Sequence, residues 1–168
     1  MDMLTGYASA HQQPLNLALH LAGIPVIMLG AFIPLSWVST NILGYTLNLA
    51  HVATFGLFVF YFTLDRIFSI VFLLYAVPLA ILATRIGTEP LAVSGTIAAT
   101  TFFGGFFAQF IGHALEKSVP VILKHPVQAS LAAPFFIVVE IFSIFGLREE
   151  LFKEVQRRIA ELRQEHAA

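Results

Sequence analysis

Apolar residues run through this chain in five long blocks, roughly 18–38, 44–64, 67–86, 91–112 and 127–147. Each approaches the ~20 residues that carry a helix across ~30 Å of hydrocarbon. Asp65-Arg66 splits the second block from the third, which predicts two helices joined by a very tight turn. Arg85-Ile86-Gly87-Thr88-Glu89-Pro90 reads as a loop because Gly and Pro break helices. Residues 113–126 form the longest polar interval between blocks. Pro25, Pro34, Pro78 and Pro134 fall inside the blocks, where neighbouring helices can satisfy the freed carbonyls. Beyond Leu147 the pattern changes. Leu151, Val155, Ile159 and Leu162 recur on one helical face, and Glu149–Lys153 and Glu154–Arg158 are favourable i,i+4 pairs. This is an amphipathic tail helix, resting on the membrane surface or on the protein itself. A second copy of the chain is a further candidate partner, but about two heptads are too short to establish a coiled-coil seam. The pattern predicts one all-α domain: a polytopic membrane helix bundle of four or five spans over 1–147, then an amphipathic helix over 148–168.

Composition narrows the class further. The chain is 58% hydrophobic and 11% charged, with a mean hydropathy of +0.83, whereas soluble domains carry about 25% charged residues. A net charge of −1 argues against a nucleic-acid partner, and the absence of cysteine removes disulfides, thiolate metal sites and thiol nucleophiles. Residues 1–16 hold no Lys or Arg for a signal peptide's leading region, so the first block is expected to stay in the mature protein.

The fourth block carries two patterns. Thr96, Thr100, Gly104, Ala108 and Gly112 recur every four residues, and such small side chains let helices approach closely in lipid. Gly105, Gln109, His113 and Glu116 follow on an adjoining face, so this helix is expected to pack tightly and turn its polar end inward.

Polar residues also crowd the start of the first block: Tyr7, His11, Asn16 and His20. Four spans separate this stretch from His113, so both emerge on one side of the membrane, while His51 begins the second span on the other. His51 and His125 read as interfacial anchors and His166 as solvated. Ionisable groups in or beside spans default to function. Glu140, deep in the fifth block, costs roughly 2.5–3.5 kcal/mol if it faces lipid, so it must find a partner, be protonated or share the polar pocket. The candidate metal ligands are therefore His11, His20, His113 and Glu140. Glu116, Tyr7, Asn16 and Gln109 are the candidate catalytic and supporting groups. Asn16 lies four residues before His20 and Tyr7 four before His11, a spacing that suits hydrogen bonds fixing a ligand ring. Imidazoles with a carboxylate and no thiolate suit zinc or iron. HExxH, P-loop, GxGxxG and GxSxG motifs are all missing. A zinc-dependent membrane hydrolase and a metal-free lipid-binding protein remain rival classes, separable by metal analysis.

Tyr7, His11, Asn16, His20, Gly23 and Pro25, then Gln109, Gly112-His113, Glu116, Pro120, Pro134 and Glu140, resemble the Mpo-like family in order and spacing over nearly the whole chain. That resemblance implies an Fe(II)-dependent dioxygenase that shortens 2-hydroxy fatty acids by one carbon, with the motif histidines as iron ligands. Its substrates would be a 2-hydroxy fatty acid and molecular oxygen, without an organic cosubstrate. It also implies an integral membrane protein, of the endoplasmic reticulum in a eukaryote or the cytoplasmic membrane in a bacterium. Lys117-Ser118 departs from the more basic or glycine-containing pair the resemblance leads one to expect. The seventeen phenylalanines would suit an acyl-chain slot. If 127–147 enters and returns without crossing, the basic residues place the tail and the His113 loop together on the cytoplasmic side.

Overall fold

Each turn of this protein is set by a local signal that can be read in its bonds. A computed structural model describes Ala8, His11 and residues 13–165. Helix α1 (Pro14–Trp37) opens with proline at its first position and runs on through Pro25 and Pro34. Two short strands follow, β1 (Ser39–Ile42) and β2 (Tyr45–Asn48), paired antiparallel with Ile42 opposite Tyr45. Leu43 and Gly44 between them both have positive φ, as a two-residue type I′ hairpin turn requires. Asn48 then caps α2 (Leu49–Leu64), its side chain accepting from the Ala50 and His51 amides. Asp65 alone separates α2 from α3 (Arg66–Gly87), ending one helix and capping the next through the Ile67 and Phe68 amides. Helix α4 (Leu91–Glu116) follows, then the single turn α5 (Val121–Lys124), α6 (Pro126–Ile144) and α7 (Glu149–Glu165).

The first four helices alternate in direction. Ser36 of α1 donates to the Ala83 carbonyl and Asn48 donates to Thr84, so the ends of α1 and α3 meet the start of α2 beside the hairpin. Asn16 of α1 lies against Gly112 of α4, and Gly30 against Phe102, so those two helices run antiparallel as well. The histidine-bearing termini collect at the other end of the bundle.

Helices α1, α3, α4 and α6 are each long and apolar enough to cross a membrane, and α2 is a shorter apolar helix. Large apolar side chains such as Phe103, Phe107 and Leu74 stand about 70% exposed (68, 68 and 71%), which suits a lipid-facing surface and no aqueous one. The expected second span, 44–64, is corrected: its first part belongs to the hairpin, because the polar turn and the Asn48 cap delay the helix to Leu49.

The flanking links place the ends of α6. Residues 117–125 link it to the histidine end of α4 and, with α5 helical, can reach about 23 Å at most. Helix α4 itself is about 39 Å long. Past its other end, Arg148 pairs with Asp65 and lies over the Phe68 ring at 4.8 Å, both at the histidine end. Neither end of α6 reaches the hairpin. Both ends of α6 are thus tied toward the histidine end, and Pro134 to Val139 are buried in succession and so surrounded on all sides. The tail therefore leaves the bundle at the histidine end. Val155 and Ile159 are 4% and 2% exposed, so α7 rests on the protein itself, and the expected Glu149–Lys153 and Glu154–Arg158 pairs form.

The expected small-residue stripe of α4 is also corrected. Thr96, Thr100 and Gly104 are exposed, and a Cβ on Gly104 would meet nothing. Each four-residue step turns about 40° round the helix, so a long i+4 series cannot stay on one face. The packed seam is Ser94, Ala98, Gly105, Gln109, Gly112 and His113. A Cβ on Gly105 would stand 2.6 Å from Ile27 Cγ1, and one on Gly112 2.3 Å from Asn16 Oδ1.

Candidate metal centre

This close approach of α1 and α4 is what brings the histidines together. His20 and His113 come from the two helices, and His11 from the segment before α1. His20 is centred 4.1 Å from His11 and 4.9 Å from His113, and His11 and His113 are 4.8 Å apart. One ligand nitrogen from each ring lies within 4.8 Å of the others. The rings are 4%, 1% and 4% exposed, so water does not separate them. Phe136 of α6 closes over His11 at 5.4 Å.

Two of the rings are held from behind. His20 Nδ1 lies 3.0 Å from the Asn16 carbonyl. A carbonyl only accepts, so Nδ1 donates and Nε2 keeps its lone pair for a metal. Asn16 is in turn fixed by its side-chain amide, which donates to the Glu116 carboxylate across the helix pair. His113 Nδ1 meets Ser118 Oγ at 2.8 Å. Metal-bound imidazoles are ordinarily anchored in this way through the second nitrogen, which fixes ring and tautomer.

The Ser118 contact exists because of how α4 ends. Lys117 has φ 55°, the Ser118 amide donates to the His113 carbonyl and the Lys117 amide to that of Ala114. These are the paired bonds of a Schellman stop, whose left-handed position glycine usually fills. The chain here puts lysine there, and the turn swings Ser118 back onto the His113 ring. Sequence spacing gave no hint of it, since five residues along a helix do not face one another.

The residues singled out from the sequence divide as follows. His11, His20 and His113 converge, and Asn16 and Glu116 stand directly behind them. Gln109 is 9% exposed, lies across Gly23, and has no hydrogen-bond partner for its Nε2 among the described residues. Glu140 does not enter the group of mutually close ligand atoms, which holds three imidazoles and no carboxylate. Tyr7 and His166 lie outside the described residues. His51 stays at the hairpin end, accepting from the Asn48 amide at 3.4 Å in a capping box. His125 precedes α6 and is exposed.

Beside the imidazoles opens a cavity of about 250 Å³. His20, Gln109 and His113 form its polar end, and Ile24, Met28, Phe32, Phe102 and Phe106 are among the apolar residues beyond. Three buried neutral nitrogen donors suit zinc, copper, iron or nickel, and exclude the oxygen-seeking magnesium and calcium. The donor set therefore fits a transition metal at the end of an apolar pocket.

A family model described as 2-hydroxy-palmitic acid dioxygenase Mpo1-like matches residues 1–144, from the first residue to the end of α6. No curated protein and no solved structure matches the chain.

Proposed function

The chain belongs to the Mpo1-like family, and from that premise we propose that it is an Fe(II)-dependent dioxygenase shortening 2-hydroxy fatty acids by one carbon. The observation that carries this reading is the meeting of three buried imidazoles with an apolar cavity. His11, His20 and His113 would hold the iron. Iron supplies dioxygen activation there, chemistry that redox-inert zinc cannot provide.

The chain's own residues do the positioning. The Asn16 carbonyl and Ser118 hydroxyl fix two rings, and Glu116 fixes Asn16. Gln109 lines the pocket, and its Nε2 is a buried donor beside Gly23. A buried donor without an acceptor costs about 1–3 kcal/mol, so it favours a ligand that brings one. The carboxylate or 2-hydroxyl oxygen of the substrate meets that need. The apolar walls keep water from the reacting carbons.

The test is metal content of the purified protein together with oxygen uptake on a 2-hydroxy fatty acid and on its unsubstituted counterpart. Iron in the protein and uptake on the 2-hydroxy acid alone are expected. Gln109→Leu should lower kcat/KM by roughly 10–100-fold, equivalent to about 1.4–2.7 kcal/mol, while retaining iron. Full activity after chelation and reloading with Zn(II) would instead establish a hydrolase.

A further inference from the structure

We infer that the cavity is a blind slot for one unbranched acyl chain, and that its floor limits the length of chain accepted. Only the identity of the head group rests on the dioxygenase reading. The polar groups lie at one end, where His20, Gln109 and His113 stand. Ser130, the other polar side chain in the wall, already donates to the Pro126 carbonyl. From His20 the wall follows α1 to Phe32, a distance of about 18 Å. One leaflet is about half of the ~30 Å hydrocarbon core, so the slot has the reach of a single extended membrane acyl chain. Its volume lies below the ~300–1,000 Å³ usual for ligand pockets, too little for a lipid with two chains.

At the far end backbone closes the gap between α1 and α4, and side chains close the rest. A Cβ on Gly30 would stand 2.5 Å from the Phe102 nitrogen, so α1 and α4 touch there and no chain passes between them. Phe102, Phe32 and Leu57 form the floor. Ala31 and Ala133, on α1 and α6, are small residues in the wall. An apolar cavity of this kind stays dry, so each methylene that enters gains its full transfer from water until the floor is met.

The experiment is displacement of a fluorescent fatty acid from the detergent-purified protein by a graded series of saturated 2-hydroxy acids. It is run without oxygen so that binding is read apart from turnover. Affinity is expected to rise about fourfold per added methylene, from ~0.8 kcal/mol each, and then to level off sharply. Phe102→Ala should move the break to longer chains and Ala133→Phe to shorter ones, with bound metal unchanged. Ala31→Leu, a smaller obstruction on the facing wall, repeats the block if Ala133→Phe does not load metal. A break that stays in place when the floor is opened and when the wall is obstructed overturns the slot. Shifted breaks without any oxygen uptake leave the slot standing and remove the dioxygenase reading.

Discussion

The two ends of this bundle use similar residues to opposite purposes. At the hairpin end, Ser36, Asn48, Thr84 and His51 spend their polar atoms on nearby backbone and on one another. The histidine there is a helix cap. At the other end the same residue types hold each other across long stretches of chain, with Asn16 reaching Glu116 a hundred positions away. Those bonds face the backs of the rings and leave nitrogens turned toward a shared space. Polar atoms spent on one another build structure. Polar atoms that hold imidazoles from behind and turn ring nitrogens toward a shared space build a site.

The sharpest way to break this comparison is to remove one imidazole from each end. His11→Ala, His20→Ala or His113→Ala should weaken metal retention more than about 100-fold, beyond what losing an outer partner costs. His51→Ala should retain metal and lose under about 1 kcal/mol of stability. Metal analysis of membrane-extracted variants checks both, and metal loss in His51→Ala with retention in His113→Ala would sink the site.

A finer contrast sets Ser118 against Ser36. Ser118→Ala frees the His113 ring and should reduce metal affinity about 10–100-fold. Ser36→Ala removes bonds to the Ile33 and Ala83 carbonyls, costing about 1 kcal/mol of stability with no change in metal affinity. Competition against a graded chelator separates the two.

The smallest effect lies in the caps. Burial pushes the Asp65 carboxyl up, but the Phe68 amide, Arg148 and the Ile67 amide outweigh it and hold its pKa below the ordinary value. A lowered folded pKa gives stability that is present above the unfolded value of about 3.9 and lost as pH falls through the folded one. Asp65→Ala should therefore cost about 1 kcal/mol near neutral pH and progressively less below about pH 4. Asn48→Ala, at the uncharged cap, should cost a similar amount across that range. Melting in detergent from neutral to acid pH would show the divergence, and parallel losses would refute a carboxylate contribution.

Much of this was open to a reader of the sequence. Asp65-Arg66 had to be a turn because nothing else interrupts the apolar run. The odd and even ends of spans had to sort His11, His20 and His113 from His51. What resisted reading has two causes: local geometry that a hydropathy pattern passes over, and neighbours that only the fold supplies. Residues 44–48 look like the start of a membrane span because an apolar run follows them, until the hairpin claims them and Asn48 takes the cap. The i+4 stripe looks like a packing face until helical twist carries it round to lipid. Glu140 seemed bound for the pocket by its cost in lipid, yet it sits half-buried on α6 outside the imidazole group.

Sequence alone determined the class and the chemistry on offer. Hydropathy fixed a membrane bundle, and the lack of cysteine removed thiolate and left imidazole as the donor for a metal such as zinc or iron. Tertiary structure decided which donors meet and what they face. Gly105 and Gly112 let α4 close on α1, the left-handed Lys117 turned Ser118 onto His113, and α6 packed Phe136 over His11. The first and last of these depend on contacts between residues far apart in the chain, and the Lys117 turn on a backbone conformation that spacing does not show. Periodicity reports only which face a side chain occupies, and the partner on that face is settled when the helices pack.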